Sequence, residues 1–174
     1  AISTYGYAFC PKQWSFDAYR YIWSTARQTI LNAYGITIFT TVIGTVLGVL
    51  IVALYAYPIS RNDFKYRNAF ACLAFFTMLF SGGMVSWYMV CTSILHLGNT
   101  VWALILPGIM NSWYVVILRT FFATSIPPSV IESAKIDGAN EYTILFKLVM
   151  PLALPGLATI ALFFTLKFWN DWYN

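Results

Sequence analysis

The chain has 174 residues, of which 60% are hydrophobic, 19% aromatic and only 9% charged, with ten basic against six acidic side chains for a net charge of +4. A soluble domain carries about 25% charged residues to cover its water-facing surface, so this composition argues against a free soluble enzyme, and the wealth of aromatics excludes a disordered chain. Its basic residues are too sparse for a nucleic-acid surface, which needs them clustered on one face, and the composition points to a membrane.

Residues 1–27 are polar and aromatic, and they lack the apolar core of a signal peptide. They are expected to be an extracytoplasmic segment ahead of a membrane domain at 28–174. Ala1 is not an initiator Met, and Trp172-Tyr173-Asn174 ends straight after an apolar stretch. Both ends therefore read as cut from a longer chain. Cys10, Cys72 and Cys91 are widely separated and form no zinc or redox pair. Cys72 and Cys91 read as small hydrophobes in apolar surroundings.

No charge occurs from Gln28 to Ser60. A helix crossing about 30 Å of hydrocarbon needs about 20 apolar residues, and 34–57 supplies the first span. Within it Gly44 and Gly48 stand four apart, a spacing that lets a neighbouring element approach closely. A polar hinge at 61–67 follows, with Arg61, Lys65, Arg67 and one acid, Asp63. From Asn68 to Leu118 the chain is again uncharged, too long for one helix. Breaking it at His96-Leu97-Gly98-Asn99 gives spans at 68–91 and 100–121. Gly82-Gly83 and Pro107-Gly108 lie inside these spans and predict bent helices packed in a bundle, because only neighbours can re-satisfy backbone groups freed in lipid. A fourth span is expected at 152–172. The fold class is thus an all-α integral membrane bundle of about four spanning helices in this chain.

Basic residues in short loops mark the cytoplasmic side. Three lie in the 61–67 hinge, three in the 119–150 connection (Arg119, Lys135, Lys147) and none at 92–99. The first two connections are expected in the cytoplasm, although Lys12, Arg20 and Arg27 then lie outside and count against it.

The connection 123–151 holds Glu132, Asp137 and Glu141, half of the acids in the chain. Ser125 fits an N-cap, with Pro127 and Pro128 in the first turn of a short helix that runs through Val130–Ile136. Gly138 suits its left-handed end, Asn140 a second cap, and Pro151 the step into the last span. Glu132 and Lys135 lie three apart on one side of this helix, Ile131 and Ala134 on another. From these residues alone the connection fits an amphipathic linker at the membrane surface as well as it fits a docking surface.

Glu132-Ser133-Ala134, then Gly138, then Leu148-x-Met150-Pro151 resembles the EAA loop of the permease subunits of bacterial ABC importers. That pattern reads EAA, three residues, Gly, nine residues, I-x-L-P; Ser133, Leu148 and Met150 are conservative departures from it. Ala56-Tyr57-Pro58-Ile59-Ser60-Arg61, Phe80-Ser81-Gly82-Gly83, Trp102-Ala103-Leu104-Ile105-Leu106-Pro107-Gly108 and Asp137-Gly138-Ala139 extend the resemblance to the carbohydrate-uptake permeases, in the branch for complex or plant-derived oligosaccharides. It covers nearly the whole chain. Members have six membrane helices, so helices two to five are expected here.

The resemblance implies a multi-pass subunit of the bacterial inner membrane. Its short helix would be a coupling helix, with Glu132, Ser133, Ala134, Asp137 and Gly138 meeting a cytoplasmic ATPase subunit. Further partners would be a second permease subunit, an extracytoplasmic solute-binding protein, membrane lipids and a saccharide substrate. The chain would bind no cofactor of its own, with ATP held by the ATPase. No Lys follows a Gly, as a P-loop requires, and a single His96 rules out a two-histidine zinc motif.

Two polar-aromatic clusters are candidates for the sugar path: Asn111 with Trp113 in mid-span, and Trp169 with Asn170 beside Lys167 and Asp171. The second reads equally as an interfacial aromatic belt, and Lys167 and Asp171, four apart, are placed to pair. An ion-coupled transporter or channel is the alternative function. It needs intramembrane carboxylates, and no Asp or Glu occurs between Phe64 and Ile131. An intramembrane enzyme lacks a nucleophile–base or metal constellation, and a purely structural anchor leaves the spacing in 132–151 without a reason.

Overall fold

The computed structural model describes residues 16–24, 26–80 and 82–171, and it falls into two units, 1–36 and 37–174. The expectations for residues 1–15, Ser81 and Trp172–Asn174 lie outside the described residues. The described part of the first unit holds helix α1, Asp17–Ser24, and the opening turns of α2, Arg27–Ser60. Phe16, Tyr19 and Trp23 fall along one side of α1, and the Arg27 guanidinium lies 5.2 Å from the centre of the Trp23 ring.

In the second unit α2 continues to Ser60, so the helix has 34 residues where 24 were expected for the first span. It outruns the expected 34–57 at both ends: no Gly or Pro occurs among residues 28–33, and the helix runs on through Pro58 to Ser60. The next apolar stretch is not one helix. It forms α3, Arg67–Leu79, and α4, Gly83–Met89, which loosens into a π-helical turn at Val90–Ile94. Gly83 takes φ +77°, a conformation costly for any residue with a side chain. His96 and Asn99, both at positive φ, lie in the turn expected at 96–99.

The third span is broken too. Helix α5, Val101–Ile105, tightens into a 3₁₀ turn at Leu106–Gly108, and α6, Ser112–Ser125, leaves at 47°. Helix α7 is Pro128–Ile136. Ser125 does not cap it: it closes α6, and α7 starts from an extended Pro127 with no side-chain cap. Two prolines already fix φ there and remove N–H groups that would want a cap. Helix α8, Glu141–Thr143, passes through a π-helical stretch Ile144–Val149 to Met150–Leu152, and the chain bends 84° into α9, Leu154–Trp169. Pro151 and Pro155 flank this step, which moves the start of the fourth span from 152 to 154. Among the described residues, α2 alone is a single helix long and apolar enough to cross a membrane, and up to four spans result if each bent pair counts as one.

The core joins Val52, Ala56 and Ile59 of α2, Val115, Leu118 and Phe122 of α6, Ile144 and Val149 after α8, and Ile160, Phe164 and Phe168 of α9. The glycines at 44 and 48 explain how α9 docks. A Cβ on Gly44 would lie 2.6 Å from the Phe168 ring, and one on Gly48 2.8 Å from the Phe164 ring. Phe168 also fills the space above Gly108, where a Cβ would stand 2.8 Å away. Lipid tails are as apolar as these side chains, so contact quality rather than water exclusion holds such helices together. Rings set into glycine gaps supply that contact.

Candidate functional site

The connection after α6 is built to project a short rigid helix. Pro127 is extended (ψ 134°), and the Val130 N–H donates to its carbonyl at 3.1 Å, closing the first turn of α7. At the other end Gly138 sits at φ +80°. Its N–H donates to the Lys135 carbonyl and that of Ala139 to the Ala134 carbonyl, both at 3.0 Å. This pair of bonds is the Schellman arrangement, which ends a helix and sends the chain back. Asn140 caps the next helix through Oδ1, which accepts from the Thr143 N–H at 2.8 Å, as its place in the sequence predicts.

One side of α7 belongs to the bundle: Ile131 and Ala134 pack on the core, as does Ala139 just beyond the helix. Glu132, Ser133, Asp137 and Gly138 are exposed, and so is Ile136, at 86%. Ser133 turns its hydroxyl inward onto the Ser129 carbonyl at 2.9 Å, which leaves the Glu132 carboxylate and the Ile136 side chain as the prominent features of the free face. Ile136 escaped the sequence reading, which treated it only as part of the helix. An apolar residue one step before a cap aspartate was the available signal.

Sequence spacing also missed what Lys135 does. It does not bind Glu132. Its ammonium lies 2.8 Å from Asp63 Oδ2 and 3.2 Å from Glu141 Oε1. Arg61 binds the same two acids, through Nε to Asp63 Oδ1 at 2.8 Å and through Nη1 to Glu141 Oε2 at 2.7 Å, with a further contact from Nη2 to Asp63 Oδ2. Two cations and two anions thus alternate in a closed ring, and each cation touches both anions. Tyr57 extends it into α2: its hydroxyl donates to Glu141 Oε2 at 2.9 Å and accepts from Arg61 Nη1 at 2.7 Å. The Arg61 side chain is 10% exposed, whereas Asp63 and Glu141 are 54% and 55% exposed and Lys135 is 38%. Hydrogen bonds from Arg61, and then Lys135, hold the Asp63 carboxyl well below the usual carboxylate range. Those from Lys135 to Asp63 and Glu141 raise the lysine above its usual value. The hinge 61–67 and the connection carrying α7 therefore meet at one end of the bundle.

The path candidates separate. Asn111 marks the break between α5 and α6, where its Oδ1 accepts from the N–H groups of Trp113 (2.9 Å) and Tyr114 (3.4 Å). It is a helix cap inside an apolar stretch. With Trp113 it also lines an open pocket of about 540 Å³ shared with Tyr55, Thr77, Met110 and Ser112. The Thr77 and Ser112 hydroxyls there are 2.8 Å apart. Trp169 is half exposed on α9, and the Asn170 amide donates to the Leu166 carbonyl at 2.9 Å; neither lines this pocket. The Lys167 ammonium donates to the Gly108 carbonyl at 2.8 Å, so the lysine ties α9 to the broken third span.

Residues 68–172 match the family described as the binding-protein-dependent transport system inner membrane component. Among individual proteins, the chain is 46% identical over 162 residues to the polygalacturonan/rhamnogalacturonan transport system permease protein YtcP of Bacillus subtilis, with 93% of this chain and 55% of that protein covered. It is 31% identical to the arabinooligosaccharides transport system permease protein AraQ of Halalkalibacterium halodurans, over 94% of this chain and 58% of that one. The chain thus spans little more than half the length of these relatives. Its fold matches a crystal structure of a bacterial ABC transporter involved in the import of the acidic polysaccharide alginate, with a TM-score of 0.85 and 31% identity, covering 99% of this chain and 60% of that one.

Proposed function

Because this chain belongs to the family of inner membrane components of binding-protein-dependent transport systems, we propose that it forms part of the transmembrane path of an ABC importer for an oligosaccharide. Helix α7 is its coupling helix. The observation that carries this reading is the free face of α7: Glu132, Ile136 and Asp137 stand exposed on a helix whose opposite side is packed into the bundle and whose end is fixed by a left-handed Gly138. An apolar knob beside a carboxylate suits a groove with an apolar floor and a basic rim, and a cytoplasmic ATPase subunit supplies it in this proposal. The chain holds no ATP itself and binds no cofactor. It works beside a second permease subunit and receives sugar from an extracytoplasmic binding protein.

The pocket around Asn111 and Trp113 is the proposed point of sugar contact. An indole face offers stacking, and the hydroxyls of Thr77 and Ser112 offer hydrogen bonds. Relatives named for polygalacturonan, rhamnogalacturonan and arabinooligosaccharide transport support a plant-derived oligosaccharide as cargo. Trp169 and Asn170 are assigned to the interfacial belt, since they stand apart from this pocket.

The test uses the complete transporter containing this chain, reconstituted in vesicles with its ATPase and binding protein. Uptake of a labelled oligosaccharide should require ATP on the cytoplasmic side and survive an uncoupler. Glu132→Lys should abolish ATP hydrolysis stimulated by the binding protein while the permease remains in the membrane. Uptake that proceeds without ATP and collapses with the uncoupler would overturn the reading in favour of an ion-coupled transporter.

A further inference from the structure

The alternating ring of charge has no role in the function just stated, and its placement gives it one. Its four corners come from two stretches far apart in sequence: Arg61 and Asp63 just after α2, and Lys135 on α7 with Glu141 at the start of α8. Lys135 and Glu141 straddle the Gly138 turn, so the ring closes across it. Arg119 adds a bond from α6, its Nε donating to the Ile59 carbonyl at 3.2 Å.

The corners are not equivalent. Arg61 is nearly buried and grips Asp63 with two nitrogens. Taking both carboxylates away would leave a cation stranded in a poorly solvated place, which is costly. Lys135 is a point charge on a flexible stem, more than a third exposed, with donors that can swing between acceptors. Under stress the ring opens at Lys135, and Arg61 keeps its acids.

We propose that this ring is the tie through which displacement of α7 reaches α2, with Arg61, Asp63 and Glu141 as its fixed side and Lys135 as its movable corner. The proposal rests on α7 being the coupling helix. All four are positioning residues, since none of them belongs to the face of α7 assigned to the ATPase. In the tied state α7 and the 34-residue span move together. With the tie cut, α7 still sits in its ATPase groove, but its motion is absorbed in the hinge.

The experiment compares sugar import and ATP consumption in the same reconstituted transporter. Lys135→Gln, a surface substitution that should leave assembly unchanged, is expected to raise the ATP consumed per sugar imported by about fivefold or more. Binding-protein-stimulated ATP hydrolysis should stay within about twofold of the original. Lys135→Arg should restore the ratio. Asp63→Asn and Glu141→Gln should each act weakly, because Lys135 and Arg61 each keep one anion. A transporter in which Lys135→Gln keeps the original ratio overturns the tie. Should the unmodified transporter import sugar without consuming ATP, the coupling reading itself falls, and the two failures are distinguishable.

Discussion

The middle and the C-terminal end of α2 are held by opposite kinds of chemistry. Toward its middle, Gly44 and Gly48 take the rings of Phe168 and Phe164 into gaps with no room for a methyl group. Near Ser60, the same helix is fastened by a ring of ion pairs whose two acids are each more than half exposed. Packing of the first kind is short-ranged and nearly rigid, because a ring displaced by an ångström loses much of its contact. Charge pairs in water are individually weak and can change partners. On this helix the two lie about two and a half turns apart, from Gly48 to Tyr57.

Substitution in the ring-filled gaps should break the comparison hardest. Gly48→Leu puts a branched side chain where Phe164, itself fully buried and 4.8 Å from the Tyr114 ring, cannot retreat. Overpacking of this kind costs about 1–3 kcal/mol or more, and the expected result is a loss of assembled transporter, read as a lower melting temperature in detergent and less complex recovered. Lys135→Gln should leave both measurements unchanged, and a matching drop in the two variants would erase the distinction between the two regions.

Gly138→Val should come next. At φ +80° a β-branched residue pays about 1–2 kcal/mol in backbone strain, and the cost falls on the turn alone. Stimulated ATP hydrolysis should fall about tenfold while the melting temperature stays close to that of the parent. Equal loss of melting temperature and hydrolysis would mean that the turn is part of the bundle's stability.

The two asparagine caps give a smaller and sharper test. Asn140→Ala and Asn111→Ala each remove a side chain that accepts from backbone N–H groups, worth about 1 kcal/mol. In water the freed N–H groups of α8 find solvent. Between α5 and α6 they face an apolar stretch, so Asn111→Ala should cost more, measured by thermal melting of the two variants. The reverse order would place the α5–α6 break in contact with bulk water.

The smallest effect should come from pH. Asp63 is held below its usual 3.8, so its contribution is complete above that value and is lost only as pH falls through its lowered one. Lys135 is raised above 10.5, so its contribution is complete below that value and is lost as pH rises through the raised one. The Asp63–Lys135 edge therefore keeps its charge from about pH 5 to 9, and the ratio of ATP to sugar should be flat across that window. Raising the salt concentration should disturb the ratio more than pH does, because these carboxylates are open to screening.

Much of this protein was legible in its sequence because the deciding effects were local or compositional. Scarcity of charge marked the spans, since each charge in lipid is costly wherever the helix packs. Gly82-Gly83, Pro107-Gly108 and Pro151 marked the breaks, since backbone freedom and missing N–H groups act within a turn of the residue that causes them. The spacing from Glu132 to Pro151 located α7, and Gly138 located its end. Helix bounds were less legible: α2 ran past its apolar stretch because polar residues continue a helix readily once it is nucleated.

Contacts between distant residues were decided only by the tertiary structure. Nothing near Lys135 in the sequence indicates that it would pass over Glu132, three residues away, for Asp63, 72 residues away, and Glu141. A long flexible ammonium takes whichever carboxylates the fold brings within reach. The same holds for Gly44 and Gly48, whose spacing announced a close approach but not that two phenylalanines of α9 would make it. Asn111 stood out as a polar residue in an apolar run, and only the bend at its position made it a helix cap. Composition and spacing determined where this chain is apolar enough to span a membrane and where it turns. Folding determined which charge meets which, because that choice depends on distances that no stretch of sequence contains.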